Sequence, residues 1–290
     1  MSRLLTDFPM KKKRGDGTRH IEGWQSKNER IESLLNVLYD FRFNTVKSRT
    51  EYRAASSSRL YQPVTKFVLN SFRRRLDATA GIVTSADNIR TILESDFARK
   101  AHPIREYFNA LPLLNPTEHG HIGRLLNTGC QNHTCLVLTG DKQGQFKSWW
   151  LDNLCPTPLK NYLFTGKIDP QGKDIQTLIA EYLFINIDDQ LKELNKQNEN
   201  ALKNLITTPA VKYRRPYDVY IEEYPHLASF MASVNGNEFL TDPTGSRRFL
   251  PFEVLRIDKP TAESIRMDNV YSEIMYLYRQ GVRYWFNDAE

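Results

Sequence analysis

The sequence predicts an α/β protein, in which a sheet flanked by helices follows a smaller, mainly helical domain. Apolar residues in the first half recur at helical spacing, and short apolar runs in the second half end in glycine or carboxylate residues. An irregular stretch rich in proline and glycine, 112–130, separates the two halves. We therefore expect a flexible basic arm (1–27), a mainly helical domain (28–130) and the larger α/β domain (131–290).

Composition limits the class of protein. The chain has 290 residues, 40% hydrophobic and 26% charged, which is typical of globular proteins. Its net charge of +6 favours an anionic partner such as nucleic acid, although many basic proteins bind none. No apolar run approaches the length of a membrane span, and the arm lacks an apolar signal segment. These absences predict a cytoplasmic protein without membrane contact.

The first half contains four predicted helices and one strand. Apolar spacing predicts helices over 28–42 and 65–76, and a shorter helix over 104–111. Ser85 is a plausible N-cap for the fourth helix. Residues 44–53 alternate as a strand would. The arginines of this half are expected to form a solvated face, with DNA contact as the alternative interpretation.

The central motif of the second half begins with the apolar run 136–138. Gly140 and Gly144 follow, and then Lys147 and Ser148. This order is typical of a buried strand, a phosphate-binding loop and the start of a helix. Such a loop needs backbone N–H groups facing phosphate, a lysine on the outer phosphates and a hydroxyl for Mg²⁺.

The spacing departs from the usual G-x-x-x-x-G-K-[ST] pattern. Phe146 takes the place of the glycine before the lysine, and Gly140 lies seven residues before Lys147 instead of six. Two interpretations therefore remain, a variant P-loop or a coincidental glycine pattern. In the first, the nucleotide-binding residues are Gly140, Gln143, Gly144, Gln145, Phe146, Lys147, Ser148 and Trp149.

A second apolar run, 182–187, ends in Asp188 and Asp189. This is what a Walker B strand requires, because one carboxylate holds Mg²⁺ and the next orients or deprotonates the attacking water. Ser148 and Asp188 are accordingly the predicted metal ligands, and Asp189 is the predicted base. The alternative is a core strand that meets an acidic helix cap. Residues 159–173, before this run, are expected to form a loop.

Two further polar features follow in order. A small-residue apolar strand, 228–234, ends at Asn235, where an amide could position water beside the γ-phosphate. A turn then presents Arg247 and Arg248, which suit an arginine finger or an anion clamp. Surface ion pairing is the alternative role for these arginines.

Residues 136–254 resemble the virulence-associated protein E family, P-loop ATPases of mobile elements related to superfamily-three helicases within the AAA+ group. Five segments resemble family motifs in the same order. They are the Walker A loop with an aromatic before the lysine (143–148), the Walker B strand (184–189), an "LK…R.PY" segment (202–217), the sensor-one strand (233–235) and an "fLtD.tG.RRF" signature (239–249).

The resemblance implies an ATP- and Mg²⁺-dependent DNA helicase of a replicating mobile element. Lys147, Asp189, Asn235 and one of Arg247 and Arg248 would be catalytic, with the arginine reaching a neighbouring subunit. It also implies a homo-oligomer, expected as a hexameric ring, single-stranded or forked DNA as substrate, and a primase partner. Asp189 stands where many relatives carry glutamate, which places the hydrolysis rate in question. Relatives usually continue with further helices, so we expect a shortened C-terminal end.

Other function classes remain open at this stage. One is a nucleotide- and DNA-binding regulatory module with little or no unwinding activity. Another is a structural DNA-binding protein whose glycines serve only turns. ATP binding and turnover distinguish these from the enzyme.

Overall fold

The computed structural model describes residues 26–57, 60–112, 134–142, 144–194, 196–215, 218–236 and 248–282. Within them the chain forms a four-stranded sheet near its N-terminus, a five-stranded parallel sheet further on, and a small two-stranded sheet. No helix in these ranges is long and apolar enough to cross a membrane.

The N-terminal part packs helices against one face of the four-stranded sheet. Its elements are α1 (Lys27–Leu38), β1 (Tyr39–Asn44), β2 (Arg49–Ala54), β3 (Gln62–Pro63), α2 (Lys66–Ala80), α3 (Ala86–Leu93), β4 (Arg99–Ala101) and α4 (Pro103–Ala110). The strand order is β3-β2-β1-β4, with β1 antiparallel to β2 and parallel to β4.

Helices hold more of the described residues in this part than strands do, but the part also contains a four-stranded sheet, of which the sequence predicted only one strand. The helix predicted over 28–42 ends at Leu38, where aromatic and charged residues begin to alternate at strand period. The strand predicted over 44–53 is the second half of a hairpin, whose turn over 45–48 places Ser48 at φ 45°. The apolar spacing of α1 continues into β1, so helical periodicity alone does not separate the helix from the strand that follows it.

The other predicted helices are present. Helix α2 covers the predicted 65–76 segment, and α4 covers the predicted 104–111 segment within one residue at each end. Ser85 caps α3, since its side chain accepts a hydrogen bond from the N–H of Asn88. Short polar side chains before apolar periodic segments were therefore dependable signals.

The five-stranded sheet has the order β11-β5-β10-β7-β6, with every neighbouring pair parallel. The elements of this part are β5 (Cys135–Thr139), α5 (Lys147–Asn153), a 3₁₀ helix (Thr157–Tyr162), β6 (Leu163–Gly166), α6 (Asp174–Glu181), β7 (Phe184–Asp188), a second 3₁₀ helix (Leu191–Glu193), α7 (Lys196–Thr207), β8 (Ala210–Tyr213), β9 (Glu222–Pro225), β10 (Ser229–Ser233), β11 (Phe249–Glu253), α8 (Lys259–Ser264) and α9 (Met267–Arg279).

Helices cover both faces of this sheet, as a parallel sheet requires. On one face, α6 and α7 bury Ile179 and Leu202 against Ile185 and Ile187 of β7. On the other face, α4, α5 and α9 pack around Leu151. The expected α/β sheet flanked by helices is thus confirmed.

Two boundaries differ from prediction in this part. The loop expected over 159–173 contains edge strand β6, which has only four residues and is recognisable by its pairing with β7. Strand β7 begins at Phe184, two residues after the start of the predicted apolar run, because Asp174–Glu181 is helix α6. Asp188 ends the strand and Asp189 directly follows it. Short strands carry too little periodicity to be predicted from sequence.

Candidate functional site

Three loops meet at one edge of the parallel sheet. Strand β10 lies between β5 and β7, and Ser233 pairs with Leu138 on one side and with Asp188 on the other. All three strands point the same way, so the residues that follow them are neighbours. Ligands of open α/β sheets bind at this carboxyl edge.

The Lys147 ammonium lies at the centre of this edge. Lys147 is buried, with 6% exposure. Its Nζ donates to the backbone oxygens of Gly140 and Lys142, both at 3.3 Å, to Gln145 Oε1 at 3.4 Å and to Asn235 Oδ1 at 3.1 Å. All four acceptors are electrically neutral. The positive charge is solvated by dipoles without being neutralised.

The electrostatics of Lys147 follow from this environment. Burial lowers its pKa, and the carboxylates of Asp189 and Asp141 partly oppose that shift. No carboxylate of the described residues forms an ion pair with its Nζ within 4.0 Å. An uncompensated buried cation of this kind attracts an anion.

A hydroxyl and carboxylate group lies beside the lysine. Ser148 Oγ donates to Asp188 Oδ1 at 2.5 Å, and Ser233 Oγ donates to the same oxygen at 2.8 Å. The two hydroxyl oxygens are 2.8 Å apart. The helix start after the loop and the ends of β7 and β10 therefore converge on one carboxylate oxygen.

Asn235 links the lysine to the second aspartate. Its Oδ1 accepts from Lys147, and its Nδ2 donates to Asp189 Oδ2 at 3.2 Å. Asp189 has φ 47°, in the left-handed region that aspartate tolerates better than most residues, and its N–H donates to the Ser233 carbonyl at 3.1 Å. These contacts fix the Asp189 carboxylate beside the lysine and serine groups.

The family model that describes the virulence-associated protein E-like domain matches residues 86–290, which is more than half of the chain. The chain belongs to this family. None of the curated proteins compared with the sequence matches it.

Among solved structures, the VapE-like chain is similar to the apo structure of the NrS-1 C-terminal region (305–718). The two share 11% identity with a TM-score of 0.48, over 85% of this chain and 68% of that chain. The A form of the same apo region has 12% identity and a TM-score of 0.44, again over 85% and 68%.

Two glycines shape the loop of the VapE-like domain. A Cβ on Gly140 would lie 2.4 Å from Gln145 Oε1 and 3.0 Å from the Val254 carbonyl oxygen, so a larger residue would displace the Gln145 side chain and press on the end of β11. Gly144 has φ 79°, where a side chain is strained even though the space is open. The Gln145 amide also donates to the Val254 and Leu255 carbonyls, both at 3.2 Å, which ties the loop to the end of β11.

The predicted residues differ in where they lie. Lys147, Ser148, Asp188, Asp189 and Asn235 come together, with Gly140 and Gln145 beside them, as described above. Gln143 and Arg247 lie outside the described residues. Arg248 directly precedes β11, and its Nε is buried with no hydrogen-bond partner in the described part of the chain. Its role as an arginine finger stays a prediction.

Sequence analysis missed two polar residues of the site. Ser233 completes the group around Asp188, and Asn186 is fully buried in β7. The Asn186 amide donates to Asp152 Oδ1 at 2.8 Å and to the Ser148 carbonyl at 3.4 Å, which fastens α5 to the sheet. An asparagine inside an apolar run was the available signal for the second of these.

Proposed function

We propose that this VapE-like chain is a Mg²⁺-dependent ATPase that acts as a helicase-like replication protein of a phage, plasmid or integrated element. One observation carries the ATPase proposal. A buried lysine with only neutral hydrogen-bond partners lies at the same sheet edge as a serine–aspartate pair. The lysine would supply positive charge for the phosphates of a nucleoside triphosphate, and the aspartate would supply negative charge for its Mg²⁺.

The lysine would bind the outer phosphates. A phosphate oxygen can replace the neutral oxygens around Lys147 Nζ, which are 3.1 to 3.4 Å away. Hydrogen bonds between charged groups are shorter and about twice as strong as neutral ones. The exchange therefore favours the bound state.

The donor set at Ser148 and Asp188 fits Mg²⁺. Mg²⁺ prefers hard oxygen ligands and is bound by one or two carboxylates together with substrate phosphates. Ser148 Oγ and an Asp188 oxygen lie close enough to share one ion, and Ser233 supplies a third oxygen nearby. When bound, the ion would neutralise charge that develops on the phosphate oxygens.

Asp189 and Asn235 would act on the attacking water. The Asp189 carboxylate is held by the Asn235 amide, which leaves its other oxygen to accept a proton from water. Because Asn235 also contacts Lys147, the water would be aligned with the phosphate that the lysine binds. Aspartate is shorter than the glutamate of many relatives, so the water has to approach the backbone more closely.

The oligomer, the DNA and the arginine finger are parts of the same proposal. Family resemblance supports a ring in which Arg247 or Arg248 reaches the nucleotide of a neighbouring subunit. The net charge of +6 supports DNA as the polymer that is moved, and a primase is the proposed functional partner.

The test is ATP turnover by the full chain with Mg²⁺, measured with and without single-stranded or forked DNA, alongside native mass. We expect turnover that requires Mg²⁺, rises with DNA and coincides with assembly. Absence of turnover contradicts the enzyme. Turnover that DNA does not change contradicts the helicase and favours a nucleotide-dependent regulatory module.

A further inference from the structure

Phe146 has a backbone conformation that its side chain disfavours. Its φ is 61° and its ψ is 21°, in the left-handed region. A bulky residue in that region is a genuine outlier, and glycine would adopt it without strain. Phe146 also occupies the position where the usual phosphate-loop motif has glycine. The side chain at this position therefore calls for an explanation.

Packing in the fold does not supply that explanation. The Phe146 side chain is 48% exposed and belongs to none of the buried clusters of the described residues. Its ring meets Trp149 edge to face, with the centroids 6.4 Å apart. Strained residues concentrate at sites of function, so the exposed ring is a candidate for ligand contact.

The two rings are held from outside by Lys259. Its Nζ lies 5.2 Å from the centroid of each ring, and it forms a 3.6 Å ion pair with Glu263. Lys259 is the first residue of α8. Cation–π attraction of this kind orients an aromatic ring without burying its whole face.

We propose that Phe146 and Trp149 form a stacking surface for the nucleobase of the nucleotide whose phosphates Lys147 binds. This inference rests on the proposed ATPase function and adds a base-recognition site to it. Nucleobases stack on aromatic side chains through their π faces, whatever their hydrogen-bonding edge. The site therefore takes a nucleobase through its π face and does not read its hydrogen-bonding edge.

The position of the ring favours a base over other occupants. Phe146 immediately precedes Lys147, so their Cα atoms are about 3.8 Å apart. Lys147 begins α5 and is 6% exposed, while Phe146, the last residue of the loop, is 48% exposed. A ligand whose phosphates reach the lysine thus has its remaining part at the loop surface, where the ring lies.

The experiment separates base from phosphate binding. Calorimetry measures the affinity of Mg²⁺-ATP and of Mg²⁺-tripolyphosphate, which has no base, for the wild-type chain, Phe146→Leu and Phe146→Tyr. We expect Phe146→Leu to weaken ATP about tenfold or more, as loss of one stacking partner does, and to leave tripolyphosphate affinity unchanged. Phe146→Tyr keeps the aromatic face and should retain the wild-type affinity for ATP.

Lys259→Met provides a second variant outside the loop. It removes the cation that orients the rings, and we expect a smaller loss of ATP affinity with unchanged tripolyphosphate affinity. Thermal unfolding of each variant shows whether the fold is kept. If the ratio of ATP to tripolyphosphate affinity is the same in Phe146→Leu as in the wild type, the stacking surface is wrong. If neither ligand binds the wild type, both the stacking surface and the ATPase fail.

Discussion

Two clusters of buried charge in this chain have opposite electrostatic character. In the N-terminal sheet, Glu51 is 3% exposed and accepts from Arg42 at 2.7 Å, Arg49 at 3.1 Å and the Asn44 amide at 3.0 Å. At the edge of the parallel sheet, Lys147 is also buried, with 6% exposure, and has only neutral acceptors. The first cluster satisfies its charges internally. The second keeps a charge that an external anion can neutralise.

This difference teaches that burial of a charged residue is not in itself a sign of function. Arg215, in the segment that resembles a family motif, illustrates this. The residue is buried, forms a 3.4 Å ion pair with Glu181 and donates to the Val46 carbonyl at 2.9 Å. It joins the N-terminal hairpin to helix α6, so its role is structural.

The largest expected effect is that of Lys147→Ala on ATP turnover. Removing the charge that binds the outer phosphates should lower turnover by about 10³-fold. The matched control is Lys142→Ala, which removes an exposed lysine side chain of the same loop and leaves its carbonyl in place. Equal loss in both variants, measured by phosphate release, would contradict the distinction between the two lysines.

The next largest effect is that of replacing Asp189, the proposed general base. Asp189→Asn keeps the side-chain size and suits the left-handed backbone, and it removes the carboxylate. We expect turnover to fall by about 10²-fold while ATP affinity stays within a few-fold, because general-base catalysis contributes to the reaction step. Single-turnover kinetics measures the rate of the reaction step separately from ATP affinity. If affinity falls as far as turnover, Asp189 acts in binding.

The N-terminal cluster should respond in stability. Glu51→Ala leaves Arg42 partly buried without its carboxylate, and breaking such a pair costs about 3 kcal/mol of unfolding free energy. Urea unfolding measures this cost, and the folded variant should bind ATP as the wild type does. Loss of ATP affinity without loss of stability would place Glu51 in the functional site.

The smallest expected effect is a pH dependence of ATP affinity. Burial lowers the pKa of Lys147 below the ordinary lysine value of 10.5. The charged form binds phosphate, so affinity should fall as pH rises through this lowered pKa, approaching tenfold per pH unit above it. Calorimetry from neutral pH to pH 10.5 measures the fall, and Lys142→Ala should retain it. At pH 10.5 a lysine with a lowered pKa is more than half deprotonated, so a constant affinity up to that pH would show that the Lys147 charge does not contribute.

Sequence predicted the parts of the site that lie in local motifs. Lys147, Ser148, Asp188 and Asn235 each follow an apolar strand, and parallel strands place such residues at one edge. Ser233 was missed because a small residue in a strand is usually part of the core packing. The N-terminal sheet was missed because Tyr39 and Phe41 continue the apolar spacing of the preceding helix. Its strands are recognisable by pairing between residues distant in sequence, which periodicity does not detect.

The most direct measurement is calorimetric titration of Mg²⁺-ATP into the wild-type chain and into Lys147→Met, which keeps an unbranched side chain and removes only its charge. If the unneutralised charge of Lys147 is the centre of a nucleotide site, the wild type binds ATP and the variant loses at least about tenfold in affinity. If the wild type gives no binding, or the variant binds ATP equally well, this account of the site is contradicted.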